Sequence, residues 1–202
     1  MTPVRILVTG ALGYVGQHLC WTLCEDQGVQ LHGTYRSKRF HASDKRCQLH
    51  QLDLNDAGAT ARFIQDLQPQ QIYQLAGNIH AGRTTGTDVR ASWNDNLLGT
   101  LNLFDACIAA KLVPRIVLAS TGAIYGESID GKPITETTEL RPLNAYAASK
   151  AAADLAGRRE PVLQDHRQPG LASRLLAHLG CEIDGYFRYA AGFSRRRADR
   201  PC

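Results

Sequence analysis

The feature that most restricts the fold of this sequence is a glycine-rich turn that directly follows a short apolar run. Residues 4–9 (VRILVT) are apolar enough for a buried parallel strand, and residues 9–16 continue as TGALGYVG. Beyond the turn, Val15, Leu19 and Leu23 are spaced four residues apart, as on one face of a helix. A strand, a turn with this glycine spacing and an amphipathic helix form the phosphate-binding unit of dinucleotide-binding domains. The sequence therefore predicts such a unit at its start.

Each glycine of the turn has a separate predicted task. Gly10 permits the tight turn, Gly13 lets the backbone approach a pyrophosphate, and Gly16 lets the helix pack close to the sheet. The first turn of the helix then offers unpaired N–H groups to the phosphate charge. The alternative interpretation is a strand-to-helix turn with a structural role alone.

Strands and helices alternate regularly up to about residue 157. Apolar runs predict further strands at residues 29–35, 47–52, 71–75 and 115–120, and apolar periodicity predicts helices at 57–67, 94–110 and 144–157. This alternation implies a parallel sheet that is covered by helices on both faces. We therefore predict an α/β fold with a Rossmann-type, doubly wound parallel sheet over residues 1–157.

Residues 158–202 depart from this pattern. They hold nine Arg, no Lys and five Asp or Glu, so the whole net charge of +4 lies in this segment. No Val- or Ile-rich run follows residue 163 to supply another buried strand. We interpret the segment as a divergent, Arg-rich and disordered tail. A shifted reading frame or an early truncation would explain it, and a real but divergent ending is the alternative.

Composition also bears on the partners of the chain. Residues 1–157 carry equal numbers of basic and acidic groups, so no nucleic-acid-binding face is expected. No apolar run approaches the roughly 20 residues of a membrane helix. The six cysteines form no CxxC pair and no metal-ligand spacing with histidine. They predict buried, reduced thiols, no metal site and a cytoplasmic location.

The end of the second predicted strand indicates which dinucleotide is bound. Dinucleotide-binding domains usually carry an Asp or Glu here, which binds the ribose hydroxyls. This sequence has YRSKR at residues 35–39 instead. Because a guanidinium suits a 2′-phosphate better than a hydroxyl, Arg36 favours NADP(H) over NAD(H) as the cofactor. A solvated basic loop is the alternative interpretation of these residues.

A Tyr-x-x-x-Lys pair on the last predicted helix indicates proton transfer. Tyr146 and Lys150 are four residues apart and therefore share one helix face. A cation beside a phenol stabilises the phenolate, so Tyr146 can exchange a proton with a substrate oxygen near neutral pH. The pair follows Ser120 and Thr121, which lie at the end of a predicted strand.

Taken in order, these motifs resemble the extended short-chain dehydrogenase/reductases, a family of nucleotide-sugar epimerases, dehydratases and reductases. The resemblance covers residues 4 to about 157. It depends on TGALGYVG at 9–16, LDL at 52–54, LAG at 75–77, NLLGTLNL at 96–103, STGAIYG at 120–126 and YAASK at 146–150.

The resemblance implies a role for each matching residue. It makes Thr121, Tyr146 and Lys150 the catalytic triad, with Asn96 as a supporting fourth member. It places Asp53 at the adenine amino group. The remaining residues implied to hold the cofactor are Gly10, Gly13, Tyr14 and Val15 at the pyrophosphate, Leu54 beside Asp53, and Leu75, Ala76 and Gly77 along the cleft.

Departures from the family pattern narrow the expected reaction. Sugar 4,6-dehydratases carry an extra acid/base pair just after the catalytic Thr, where this sequence has Gly122 and Ala123. A 4-keto reductase or an epimerase needs only the Tyr-Lys-Thr set and a nicotinamide. We therefore expect an NADP(H)-dependent oxidoreductase that acts on a nucleotide sugar, with a GDP-sugar as the first guess. A GDP-mannose 4,6-dehydratase relative is one alternative.

The resemblance also bears on assembly and on activity. Family dimers bury the helices that correspond to residues 96–110 and 146–157, which implies a homodimer. Nothing in residues 158–202 matches the sixth strand or the substrate domain of the family. A non-catalytic NADP(H)-binding module is therefore the second alternative.

Overall fold

The described part of the chain forms one parallel sheet with helices on both faces. The computed structural model describes residues 2–37, 46–78, 86–127, 134–135 and 137–159. The strands are β1 (Val4–Thr9), β2 (Val29–Tyr35), β3 (Cys47–Gln51), β4 (Gln71–Gln74) and β5 (Arg115–Leu118). The helices are α1 (Tyr14–Leu23), α2 (Ala57–Leu67), α3 (Gly86–Ser92), α4 (Gly99–Ala109) and α5 (Ala145–Arg159), with a π-helical turn at Trp93–Leu98 and a 3-10 turn at Gly122–Tyr125.

The strand order places a crevice beside β1. The five strands are all parallel and lie in the order β3-β2-β1-β4-β5. The chain winds outward from β1 to β3 and then returns to the opposite side of β1 through β4, so the winding direction reverses there. Thr9 at the end of β1 is paired with Gln74 at the end of β4. Ligands of doubly wound sheets bind at the carboxyl ends of strands at such a reversal. The predicted fold class is confirmed.

Alternating side chains of the strands build a core on each face of the sheet. Ile6 and Val8 point to the α1 face, while Leu7 between them points to the face covered by α2 and α4. Four described cysteines are buried thiols rather than disulfides, as predicted: Cys20, Cys24, Cys47 and Cys107. Within the described ranges, no helix is long and apolar enough to cross a membrane.

The helix predicted at 94–110 differs from the observed structure. The segment begins earlier, as α3, and passes through the π-helical turn before α4. In that turn the N–H of Gly99 donates to the carbonyl of Asn94, five residues back. The Thr100 hydroxyl meanwhile donates to the carbonyl of Asn96 at 2.8 Å. The Thr100 side chain thus provides a hydrogen bond to one carbonyl of this turn, a kind of turn that is frequent at functional sites.

Apart from its first two residues, the predicted tail lies outside the described part of the chain. Helix α5 ends at Arg159, two residues beyond the predicted end, and residues 160–202 are not described. Residues 38 and 39 of the YRSKR segment also lie outside the described part.

Candidate active site

The glycine turn has the backbone geometry that its sequence predicts. Gly10 has a φ of +66°, in the left-handed region that favours glycine, and its carbonyl accepts a hydrogen bond from the Gly13 N–H at 2.9 Å. A Cβ on Gly16 would collide with that same carbonyl oxygen. The turn therefore holds the start of α1 directly against the end of β1.

The amino terminus of α1 is free to receive an anion. Gly13 caps the helix without a side chain, and the first intrahelical bond runs from the Gln17 N–H to the Gly13 carbonyl at 2.9 Å. The N–H groups of Tyr14, Val15 and Gly16 precede that bond and have no intrahelical acceptor. The first turn carries no acidic side chain to compete. These features fit a dinucleotide pyrophosphate.

Thr9 joins the glycine turn to the second side of the crevice, a role that the sequence did not reveal. Its side chain is fully buried, and its hydroxyl donates to Gln74 Oε1. The Thr9 hydroxyl oxygen also accepts hydrogen bonds from the N–H groups of Leu75 and Ala76, each at 3.0 Å. The predicted cleft segment at 75–77 is thereby fixed beside the turn. The only sequence signal was a hydroxyl residue immediately before the first glycine.

The structure brings Gly77, Asn96 and Lys150 together. A Cβ on Gly77 would lie 2.7 Å from Asn96 Oδ1 and 3.3 Å from Lys150 Nζ. Lys150 is 7% exposed, and its ammonium group donates to the Ala119 carbonyl at 2.9 Å. Burial lowers the pKa of Lys150 to about 8. At neutral pH the group is therefore a cation that can readily lose its proton.

Asn96 links the segment after β4 to helix α5 through hydrogen bonds. Its Oδ1 accepts the Asn78 N–H at 2.7 Å, and its Nδ2 donates to the Asn78 carbonyl at 3.1 Å and to Ser149 Oγ at 3.0 Å. Ser149 in turn donates to the carbonyl of Tyr146 at 2.8 Å. Asn96 thus connects the segment after β4 to α5 by hydrogen bonds. Ser149 and Asn78 were not identified from the sequence, since their roles depend on this pairing.

The two hydroxyl residues of the predicted triad lie on elements that pack together. Thr121 precedes the 3-10 turn and accepts the Ala123 N–H at 3.3 Å. Tyr146 is half-buried in the first turn of α5, which packs against that 3-10 turn. Next to Thr121 in the chain, Ser120 has a buried Oγ without a hydrogen-bond partner among the described residues. An unpaired buried hydroxyl here fits a site that a polar ligand completes.

The predicted adenosine end contains an ion pair that the sequence did not reveal. Arg36 Nη1 donates to Asp95 Oδ1 at 2.7 Å, and Asn55 Nδ2 donates to the same oxygen at 2.9 Å. Asp53 is exposed and accepts the Asn55 N–H at 3.0 Å, while Leu54 is buried. The predicted cofactor residues Arg36, Asp53 and Leu54 therefore share one loop cluster at the ends of β2 and β3.

The ion pair shifts the pKa values of both Asp95 and Arg36. Burial would raise the pKa of Asp95, but the hydrogen bonds from Arg36 and Asn55 outweigh it, so the pKa lies below its usual range. The hydrogen bond to Asp95 raises the pKa of Arg36. Both groups are therefore charged at neutral pH, and the guanidinium has one anionic partner already.

The positions after Thr121 carry no proton-transfer group. Gly122 and Ala123 form the start of the 3-10 turn, and the space where a Gly122 side chain would extend is open. The turn thus leaves open space after Thr121 but provides no acid or base at these two positions.

Comparisons with known proteins identify relatives over the same segment. Residues 6–159 match the NAD dependent epimerase/dehydratase family. The chain is 31% identical over 157 residues to a UDP-glucose 4-epimerase of Corynebacterium glutamicum, covering 76% of this chain and 45% of that protein. It is 30% identical over 166 residues to a GDP-mannose 4,6-dehydratase of Sinorhizobium fredii, covering 74% and 46%.

A solved structure agrees with both fold and sequence. The UDP-glucose 4-epimerase of Thermus thermophilus, solved in complex with NAD, superimposes with a TM-score of 0.68 at 31% identity. The match covers 76% of this chain and 49% of that one. The chain therefore spans about half the length of the relatives that it matches.

Proposed function

The chain belongs to the NAD dependent epimerase/dehydratase family, as its motifs predicted, and from that premise we propose that it is an NADP(H)-dependent nucleotide-sugar oxidoreductase of the epimerase or 4-keto-reductase type. The observation that carries the proposal is the buried Lys150 ammonium beside Gly77 and Asn96. A desolvated cation on the same helix face as Tyr146, beside the segment that packs against the glycine turn, is suited to proton transfer next to a dinucleotide.

The proposed mechanism assigns one task to each side chain. Tyr146 transfers a proton to or from the sugar oxygen, and the Lys150 cation stabilises its phenolate. Thr121 donates a hydrogen bond to the same sugar oxygen. Asn96 holds α5 in place through Ser149. The nicotinamide cofactor, when bound along the glycine turn and residues 75–77, supplies the hydride chemistry.

The proposed reaction type depends on the two residues that follow Thr121. Elimination of water from a sugar needs an additional acid and base, and Gly122 and Ala123 provide neither. A reductase or an epimerase has no such requirement. The relatives include both a UDP-glucose 4-epimerase and a GDP-mannose 4,6-dehydratase. We keep a GDP-sugar as the first substrate to test, followed by UDP-glucose.

NADP(H) is the proposed cofactor because Arg36 lies where a ribose-binding carboxylate usually stands. Its side chain is 55% exposed, so the guanidinium remains accessible to a phosphate. The buried thiols support a cytoplasmic location. A homodimer is supported by exposed apolar side chains on the helices that correspond to those buried in family dimers, since Leu98, Ile108 and Leu155 are between 41% and 48% exposed.

Two assays test the proposal. Thermal melts with NADPH and NADH measure binding, because a ligand that binds only the folded state raises the melting temperature. Incubation with GDP- and UDP-sugars, followed by absorbance of the reduced nicotinamide and by product analysis, measures turnover. Binding with turnover that Tyr146→Phe abolishes supports the enzyme. Binding without turnover favours the cofactor-binding module, and a 4-keto product from GDP-mannose favours the dehydratase relative.

A further inference from the structure

Asp95 connects the two ends of the proposed cofactor site. It lies in the π-helical turn, next to Asn96. One carboxylate oxygen accepts from Arg36 at 2.7 Å and from Asn55 at 2.9 Å, and the other accepts from Asn78 Nδ2 at 3.4 Å. Its side chain is only 11% exposed, against 55% for Arg36. A mostly buried carboxylate is therefore bonded to the inner edge of a largely exposed guanidinium.

The hydrogen bonds determine which part of Arg36 remains for a ligand. Only Nη1 is bonded to Asp95, and a guanidinium presents five N–H groups along a planar fork. A phosphate can therefore bind at the outer edge while Asp95 stays at the inner edge. In that arrangement a carboxylate and a phosphate share one cation, and their mutual repulsion opposes phosphate binding.

We propose that Asp95 determines cofactor specificity by partly neutralising Arg36, so that the 2′-phosphate is preferred over the 2′-hydroxyl by a smaller margin than the arginine alone would give. The inference rests on the proposed NADP(H) function. Arg36 supplies the preference, and Asp95 limits its size. A chain arranged this way accepts both dinucleotides, with the phosphorylated one bound more tightly.

The test is the ratio of the dissociation constants for NADH and NADPH, measured by titration of the full chain. Asp95→Asn keeps the size of the side chain and an acceptor oxygen but removes the charge. It is expected to raise the ratio about five- to tenfold, as repulsion between charges on opposite edges of one guanidinium predicts. The increase is expected to shrink at high salt, because salt screens exposed charges. Arg36→Gln is expected to lower the ratio.

The control is Asp105→Asn, the same charge change at an exposed position of α4. It is expected to leave the ratio unchanged. Asp95→Ser serves the same test if the asparagine variant loses its cooperative melt. If the ratio is unchanged or lower in the Asp95 variants while Arg36→Gln still lowers it, the role of Asp95 is overturned and the NADP(H) preference stands. If Arg36→Gln also leaves the ratio unchanged, the proposed NADP(H) preference fails with it.

Discussion

Replacing Thr9 by valine tests whether one hydroxyl fixes the crevice between β1 and β4. The substitution keeps the branched shape but removes a fully buried oxygen with four hydrogen-bond partners, of which the Tyr73 carbonyl at 3.4 Å is the most distant. Valine leaves the N–H groups of Leu75 and Ala76 and the Gln74 side-chain oxygen without their partner. Thr→Val is therefore not a neutral exchange at this position.

The magnitude follows from the groups that lose their bonds. A buried donor or acceptor without a partner costs about 1–3 kcal/mol, and the backbone at 75–76 can recover part of this by shifting. We expect the free energy of unfolding of Thr9→Val to fall by about 3 kcal/mol. For a chain of this size, that loss corresponds to a decrease of roughly 6–12 °C in melting temperature.

The assay is urea unfolding of Thr9→Val beside a matched control, Thr22→Val. Thr22 is an exposed residue of α1 whose hydroxyl donates to the carbonyl of His18 at 3.1 Å. Surface substitutions of this kind change stability by about 0.5 kcal/mol or less. The two variants should therefore differ by several-fold in their effect on unfolding. If Thr9→Val lies within about 0.5 kcal/mol of the control, Thr9 is not the junction described above.

Three further predictions concern the buried cation, the cleft glycine and a histidine pair. Because burial lowers the pKa of Lys150 to about 8, turnover should fall as the pH rises through about 8. Lys150→Met should abolish turnover at all pH values. Activity that persists in that variant would exclude the role of the cation. Gly77→Ala should weaken NADPH binding about tenfold or more, since its Cβ would press on Asn96 Oδ1, and an unchanged dissociation constant in titrations would contradict this crowding. Burial lowers the pKa of both His32 and His50, so the unfolded chain binds more protons than the folded chain. The free energy of unfolding in urea should therefore fall as the pH drops below about 6.5. A free energy of unfolding that stays constant from pH 7 to 5 in the wild type, or a pH dependence that is unchanged in His50→Gln, would refute this.

Much of the fold could be predicted because local patterns determine it. The bounds of β1, β2 and α2 match the predicted residues, since each is an apolar or periodic segment between clear turn signals. The glycine turn was also predictable, because its strand, turn and helix are contiguous. Burial of the four described cysteines followed from composition and spacing alone.

What escaped prediction depends on contacts between distant parts of the sequence. Thr9 gains its role only from Gln74 and residues 75–76, which lie 65 or more positions away. Asp95 lies 59 positions from Arg36, so the partial neutralisation of the guanidinium leaves no local signal. Asn96 in the π-helical turn likewise bonds with Asn78, 18 positions away, and with Ser149, 53 positions away.

The central claim is that this chain binds a phosphorylated nicotinamide dinucleotide at its glycine turn. The most direct measurement is a thermal melt of the wild type and of Gly16→Val with saturating NADPH and NADH. At a concentration about 100 times the dissociation constant, binding contributes about 2.7 kcal/mol, a shift of several degrees. We predict such a shift for the wild type, larger with NADPH at equal concentration, and none for Gly16→Val if that variant still melts cooperatively. No shift in the wild type, or a larger one with NADH, would contradict the account.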